Sequence, residues 1–444
     1  MESAPIAEDA QHHYAKGLPF GKKVLLKSEN GTIRQKFGNI AKAIESWRHG
    51  ETVFIPRGVY KESIQIMALF HDGICIVDCI IYGRGKLSAV GVYLDGSAEE
   101  VEGTANLKST ATIKGNIIYG AHGGGVFVRE EGHAILDSNR ILRGGGDGVE
   151  VRTRGMCVLK NNEITNCSSG VYISEGGTAT MVSNNIHHNH RDGVRLAGPC
   201  RGTLSKNHIH HNKEHGIAMR AWLPPPGLGV RHKKGPVCAL VQENTVEAND
   251  NLGIRVAGSV CKTTVEVKKN RLVGNSPGGI LVEDRAEPRL TQNELEGHEN
   301  GLLVAGLAKP VVKDNTFSAV GFTDDKCRIA ARFYEGSAGE FTGNKLTTCH
   351  VELEQATDVS GPCRPALADN KYLLPNRVLL RYSGVAKRTS ADGLFFARNH
   401  VLIVSSSDEE TYAQNQTRNM ESSQSPKARR LRSAKRTASD AFKR

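Results

Sequence analysis

An asparagine returns about every 23 residues along most of this chain, followed two residues later by an apolar side chain and about nine residues later by a glycine. The clearest copies are Asn139-Arg-Ile141 with Gly148-Val149, Asn162-Glu-Ile164 with Gly170-Val171, Asn184-Asn-Ile186 with Gly193-Val194, and Asn207-His-Ile209 with Gly216-Ile217. They continue as Asn244-Thr-Val246 with Gly253-Ile254, Asn270-Arg-Leu272 with Gly279-Ile280, and Asn293-Glu-Leu295 with Gly301-Leu302, and weaker copies sit at Asn116, Asn315, Asn344, Asn370 and Asn399. Self-similarity at such a period defines a solenoid, in which each repeat buries its apolar face only against its neighbours.

Within each repeat the apolar residues alternate. Gly170-Val-Tyr-Ile-Ser, Gly193-Val-Arg-Leu-Ala, Gly253-Ile-Arg-Val-Ala and Gly279-Ile-Leu-Val-Glu have the period of two that sends one face inward and one outward, so they are strands. Two or three such strands per repeat are separated by Gly, Asn, Asp or Ser, residues that tolerate the positive φ of tight corners. The expected fold is all-β, a single-stranded right-handed parallel β-helix of about twelve coils, on the order of 55 Å long at the usual strand spacing. Aromatics at 5% and 48 glycines suit thin coils with many corners better than a broad globular core.

The asparagines then have a structural task. A carboxamide stacked at a corner donates to the next coil and satisfies turn backbone that would otherwise be buried unpaired. A second column, Asn189, Asn212, Asn249 and Asn275, falls five residues after the first and reads the same way.

The chain divides into a disordered N-terminus (1–23), a cap with the first coils (24–96), the repeats (97–404, with an insertion at 221–236) and a disordered basic tail (405–444). Asn39 to Trp47 reads as a short amphipathic helix whose Ile40, Ala43, Ile44 and Trp47 would cover an open coil end and block its strand edges. About Leu379 to Val404 should form the last irregular coils. Residues 418–444 hold nine Lys or Arg against Glu421 and Asp440, hence +7 of the formal +11, which leaves +4 on the preceding chain. The charge therefore sits in the tail, where Lys427 to Arg436 reads as an import-receptor or polyanion-binding signal, with Ser425-Pro426 as a phosphorylation site beside it.

The first twenty residues carry no apolar signal segment, and the longest apolar run, Ile74 to Tyr82, is broken by Asp78; no transmembrane segment is expected, and the compartment is cytoplasmic, nuclear or both. Ten cysteines without CxxC pairs read as reduced core or corner residues. No cofactor and no metal set is expected.

Three places stand out as candidate sites. Ile186-His187-His188-Asn189-His190 and Ile209-His210-His211-Asn212 fall in register, so His187 should lie over His210 and His188 over His211 at about one inter-coil spacing, with His190, His215 and Asp192 nearby. Carboxylates flank the glycine column at Asp147, Glu150 and Asp192, although Asp147 and Asp192 are two coils apart with Ser169 between them. The third place is the insertion from Ala221 to Pro236, where 37 residues separate Asn207 from Asn244. It joins Trp222, a triple proline and a basic Arg231, His232, Lys233, Lys234 cluster, the residue types favoured at interfaces.

The repeats, with Ala43-Ile-Glu-Ser-Trp-Arg-His-Gly-Glu-Thr-Val-Phe-Ile-Pro-Arg-Gly-Val-Tyr60, resemble the pectate-lyase-like right-handed β-helix superfamily. Within it the chain is most similar to the eukaryotic branch of β-helical F-box-only and Shc-binding spindle-associated proteins. That resemblance covers about residues 35–404 and implies partner recruitment in ubiquitin-ligase or cytokinesis-type assemblies. No F-box precedes the repeats, no Cys or His follows His400, and the catalytic motifs of the superfamily's alginate epimerases, pectate lyases and polygalacturonases are missing. Two functions are therefore expected to compete. One is a non-catalytic intracellular interaction scaffold holding a protein partner through a lateral face, the Trp222 loop and the tail. The other is a carbohydrate-binding or uronate-active β-helix using a face of His187, Asp192, His210 and Asp147.

Overall fold

Short strands follow one another in threes, and each returns to a different sheet. Met156–Lys160, Glu163–Thr165 and Val171–Ser174 make one coil; Thr178–Val182, Asn185–His187 and Val194–Ala197 make the next; Cys200–Ser205, His208–His210 and Ile217–Arg220 the one after. In the computed structural model the described residues lie between 23 and 405, without 29–31, 47–51, 56–57, 62–63, 68–71, 84–89, 97–109, 121–122, 222–234, 259–263, 319–327, 348, 356–362, 374–377, 383–395 and 398–400. Trp47, the insertion residues Trp222, Arg231, His232, Lys233 and Lys234, the N-terminus through residue 22 and the basic tail from residue 406 lie outside them.

Among the described residues, like strands stack into three sheets of 16, 13 and 14 strands, here the first, second and third. Pairing is parallel throughout, apart from the antiparallel contacts of Val24–Lys27 with Ile33–Phe37 and Thr52–Phe54. This is a parallel β-helix solenoid, all-β among the described residues but for the helix Ile40–Glu45, whose Asn39 cap accepts from the Lys42 amide at 2.9 Å and whose Ile40, Ala43 and Ile44 are buried.

Alternation fills the bore. Leu136, Leu159, Met181 and Leu204 form one inward column, Ile141, Ile164, Ile186 and Ile209 a second, and Val149, Val171, Val194 and Ile217 a third, all in one core cluster. Parallel register keeps like residues over one another, so each aliphatic side chain packs on its copies above and below. Farther along, Phe317, Phe333 and Phe341 take over from Leu and Ile, with Phe317 and Phe341 ring centroids 5.6 Å apart.

From Asn139 to Asn344 the first asparagine column has each Oδ1 accepting twice and each Nδ2 donating to the next asparagine and to a carbonyl. Asn184 is typical: its Oδ1 accepts from the backbone N–H of Asn162 (3.0 Å) and from Asn162 Nδ2 (2.9 Å), while its own Nδ2 donates to Asn207 Oδ1 (2.9 Å) and to the Leu159 carbonyl (3.0 Å). The second column, Asn189 through Asn275, repeats the scheme, and His298 ends it by accepting the Asn275 N–H at 3.2 Å through Nδ1. The register survives the insertion, since Asn207 still donates to Asn244 at 2.9 Å.

Two corner details differ from the sequence reading. The residue before each ladder asparagine has positive φ, but it is as often Lys206, Glu243, Lys269 or Gln292 as Ser138 or Asn161. The ladder bonds over-determine the corner, so an exposed L-residue is held there at a modest cost. Conversely, the repeat glycines are needed for room and not for positive φ. A Cβ at Gly193 would stand 2.5 Å from Ile209 Cγ2, 2.7 Å from the Gly216 carbonyl oxygen and 2.8 Å from Asn212 Nδ2.

Replacing Asn184 by Ala strands the Asn162 N–H, one Asn162 Nδ2 proton and the Leu159 carbonyl inside the rod. The expected loss is about 3 kcal/mol of unfolding free energy, measured by equilibrium urea unfolding; an unchanged midpoint would refute the role assigned to the column.

Candidate functional site

The histidines expected to stack do so. His187 pairs with His210 in the second sheet, their ring centroids 4.9 Å apart and 8° from parallel, and His188 lies over His211 at 5.1 Å and 3°. Within each coil the two rings meet edge to face through their Nδ1 atoms, 2.8 Å apart for His187 with His188 and 2.8 Å for His210 with His211. Burial holds His210 down to about pKa 4, with the neighbouring His208, His187 and His211 adding repulsion, and burial lowers His187 as well. His187 and His210 are thus neutral at physiological pH. Among the described residues no group of three or more His, Cys, Asp or Glu side chains converges on a point where a metal could sit.

Asp192 does not join these rings. The chain turns between them at His188, which has φ +53°, and at the buried Asn189, so His187 and His210 face outward from the second sheet while Asp192 stands at the entrance to the third. The expected single face of His187, His210, Asp147 and Asp192 is therefore two places, because the corner that the second asparagine column builds separates them. Asp147, Ser169, Asp192 and His215 instead form one column, each directly before a repeat glycine. Asp147 Oδ1 accepts the Ser169 N–H at 2.8 Å, and Asp192 Oδ1 accepts the His215 N–H at 3.1 Å.

Asp192 and His215 sit on adjacent coils, 3% and 8% exposed, so both are penalised when charged. Burial, helped by Glu214, lifts the Asp192 carboxyl to about 6 against the pull of the His215 N–H, Arg195 and Arg255. Burial and the charge of Arg255 lower His215 to about 4, and its Nδ1 has no hydrogen-bond partner. Such a perturbed acid and base side by side is how sites for proton transfer are built, although buried structural groups shift too.

Beside them the outer face of the third sheet forms a floor of small residues. Strand alternation points Ser174, Ala197, Ala218 and Ala257 outward, yet all four are buried, the three alanines stand apart from the core cluster, and Ser174 Oγ has no partner. Tyr172, Arg195, Arg220 and Arg255 rise around this floor, with the Arg195 guanidinium 5.4 Å over the Tyr172 ring. Arg255 is neutralised by Glu283 at 2.7 Å and Arg152 by Glu150 at 3.0 Å. Neither Arg195 nor Arg220 has a carboxylate partner among the described residues. The insertion also leaves from this place, since the Ala221 N–H donates to the Ala257 carbonyl at 2.9 Å.

Arg195, Arg220, Arg255 and Tyr172 were not singled out from sequence. The signal for Tyr172, Arg195 and Arg255 is the second residue after each repeat glycine, where Glu150, Tyr172, Arg195, Ala218 and Arg255 succeed one another; Arg220 stands two residues farther on, in the row of Ser174, Ala197 and Ala257.

A family profile described as right handed beta helix region matches residues 91–223. With the sheets above, it makes the chain a right-handed parallel β-helix, the fold of pectate-lyase-like proteins. No curated protein matches the chain. Among solved structures, a variant of the periplasmic alginate epimerase AlgG is 10% identical with a TM-score of 0.41, covering 84% of this chain and 100% of its own. The mannuronan C-5 epimerase AlgE6 A-module of Azotobacter vinelandii is 14% identical with a TM-score of 0.40, over 82% and 93%. The catalytic unit of an alpha-1,3-glucanase from Streptomyces thermodiastaticus is 15% identical with a TM-score of 0.38, over 82% and 65%. Likenesses at this level carry no chemistry to this chain. No helix among the described residues is long and apolar enough to cross a membrane.

The paired shifts have opposite consequences for stability. The folded pKa of Asp192 lies above its ordinary 3.8, so the unfolded chain releases that proton first and stability falls as pH rises from about 4 to about 6. The folded pKa of His215 lies below 6.5, so stability falls as pH drops from 6.5 to about 4. Asp192→Asn keeps an acceptor for the His215 N–H and removes only the carboxylate. It should gain on the order of 2 kcal/mol over wild type at pH 7 and nothing at pH 4, read by urea unfolding at four pH values; a gain independent of pH would place the Asp192 charge elsewhere.

Proposed function

We propose that the small-residue floor of the third sheet binds an acidic carbohydrate, a polyuronate chain, and that Asp192 and His215 at its edge supply proton transfer to it. The observation that carries this reading is Arg195 and Arg220, two cations without carboxylate partners among the described residues, flanking the outward-facing yet buried Ala197 and Ala218. A carboxylate-bearing ligand gives those guanidiniums the bidentate partner they lack. The hydroxyl-rich body of a sugar suits Ser174 Oγ, and the Tyr172 ring offers an apolar face. At neutral pH His215 is uncharged and able to accept a proton, whereas Asp192, lifted to about 6, keeps a protonated fraction able to return one.

The expectation of a partner-recruiting scaffold rests on the insertion's Trp222 and basic cluster, and on the resemblance to the F-box-only branch. The described residues favour the third-sheet face, where an acidic protein segment is the competing occupant.

Isothermal titration with oligouronates and with neutral oligoglucosides of equal length tests the reading. Selective binding of the acidic series is expected, weakened about tenfold or more by Arg195→Ala and by Arg220→Ala. NMR in D2O should show exchange at the sugar C–H beside the carboxylate, lost in His215→Ala with binding retained. No oligouronate binding, or binding indifferent to both arginines, overturns the proposal; binding without exchange overturns only the catalytic half.

A further inference from the structure

The Nδ1 atoms that meet within each histidine pair are set up to hold something other than a proton. His187 Nε2 lies 3.5 Å from Glu163 Oε1, and His210 Nε2 lies 2.9 Å from Asn185 Oδ1. Both oxygens are acceptors, so each Nε2 carries the hydrogen and each Nδ1 presents a lone pair. An outer acceptor that fixes one ring nitrogen and leaves the other its lone pair is the arrangement that orients metal-binding imidazoles. Each Nδ1 stands 2.8 Å from the Nδ1 of His188 or His211, His187 Nδ1 also lies 3.3 Å from Thr165 Oγ1, and His188 and His211 are exposed with left-handed backbone, φ +53° and +54°.

We propose that His187 with His188, and His210 with His211, form two stacked bidentate seats for a divalent transition cation that prefers tetragonal nitrogen coordination, Cu2+ before Ni2+. The argument is the bite. Two nitrogens 2.8 Å apart subtend about 86° at a cation about 2.05 Å from each, the angle of square-planar or octahedral geometry; a tetrahedral Zn2+ needs them about 3.3 Å apart. One cation cannot serve all four rings. With centroids stacked 4.9 and 5.1 Å apart, a central ion would stand about 2.8 Å from every nitrogen, well outside the usual bond of about 2.0 Å. Each coil therefore holds its own, and since no third His, Cys, Asp or Glu converges there among the described residues, water completes the shell.

The proton now shared by each Nδ1 pair passes through solvent to the exposed ring's Nε2, so the imidazoles bind as neutral ligands and none is released. These seats lie on the second sheet and do not depend on the carbohydrate reading of the third.

The test is a titration of the full chain with Cu2+ against a weak glycine competitor, followed by electron paramagnetic resonance. Two Cu2+ per chain with tetragonal spectra and two coupled imidazole nitrogens each are expected, beyond what a His188→Asn/His211→Asn double variant takes up. Asparagine accepts the left-handed backbone at both positions, and unchanged circular dichroism confirms the fold. His188→Asn alone should remove one site. Equal uptake by the double variant, or a preference for Zn2+ over Cu2+ in competition, overturns the assignment.

Discussion

A carboxamide that donates twice and accepts twice, repeated once per coil, is the interaction on which this rod depends. Aliphatic packing supplies most of the favourable free energy, but it is non-directional and tolerates a slip between coils. The ladder does not. A one-residue shift at Asn184 would leave buried amides unmatched on both sides, so the hydrogen bonds from Asn162 to Asn184 to Asn207 specify the register that the Leu and Ile columns then fill. Everything lateral follows from that register, including the stacked histidines and the small-residue row on the third sheet.

The coil period, the inward columns and the superposition of His187 on His210 were legible in the sequence because each is carried by residues that repeat. What repeats in structure without repeating in residue type was not. The left-handed corner accepts Lys206, Glu243, Lys269 or Gln292 because backbone bonding, not side-chain identity, sets its φ. The small-residue floor escaped for another reason: Ala197, Ala218 and Ala257 look like core residues by composition, and only strand alternation places them on the outside. Grouping Asp192 with His187 failed because proximity in sequence spans a corner. Pairing Asp192 with His215 required knowing that each residue before a repeat glycine lies over its counterpart in the next coil.

Burial gives Asp192 and His215 opposite penalties over the same pH range. Each alone would make the rod pH-sensitive; together their contributions run against each other between about pH 4 and 6, the region bounded by their shifted values. A buried acid and base can therefore be retained at the outer edge of the third sheet at little net cost in the pH dependence of folding. His187 and His210 on the second sheet meet a different constraint: burial first, and the neighbouring rings second, hold them neutral.

The ladder amides all point the same way. Each Oδ1 receives from the coil before, and each Nδ2 gives one hydrogen to the next asparagine and the other back to a carbonyl, from the Cys79 N–H entering Asn116 to Asn344 Nδ2 reaching Asn370. The side-chain carbonyl dipoles thus add along the axis instead of cancelling, and the column has an electrical sense. A β-sheet ordinarily has almost no net dipole. This rod carries a vector through its interior, and its two ends are electrostatically unlike even where their aliphatic cross-sections match.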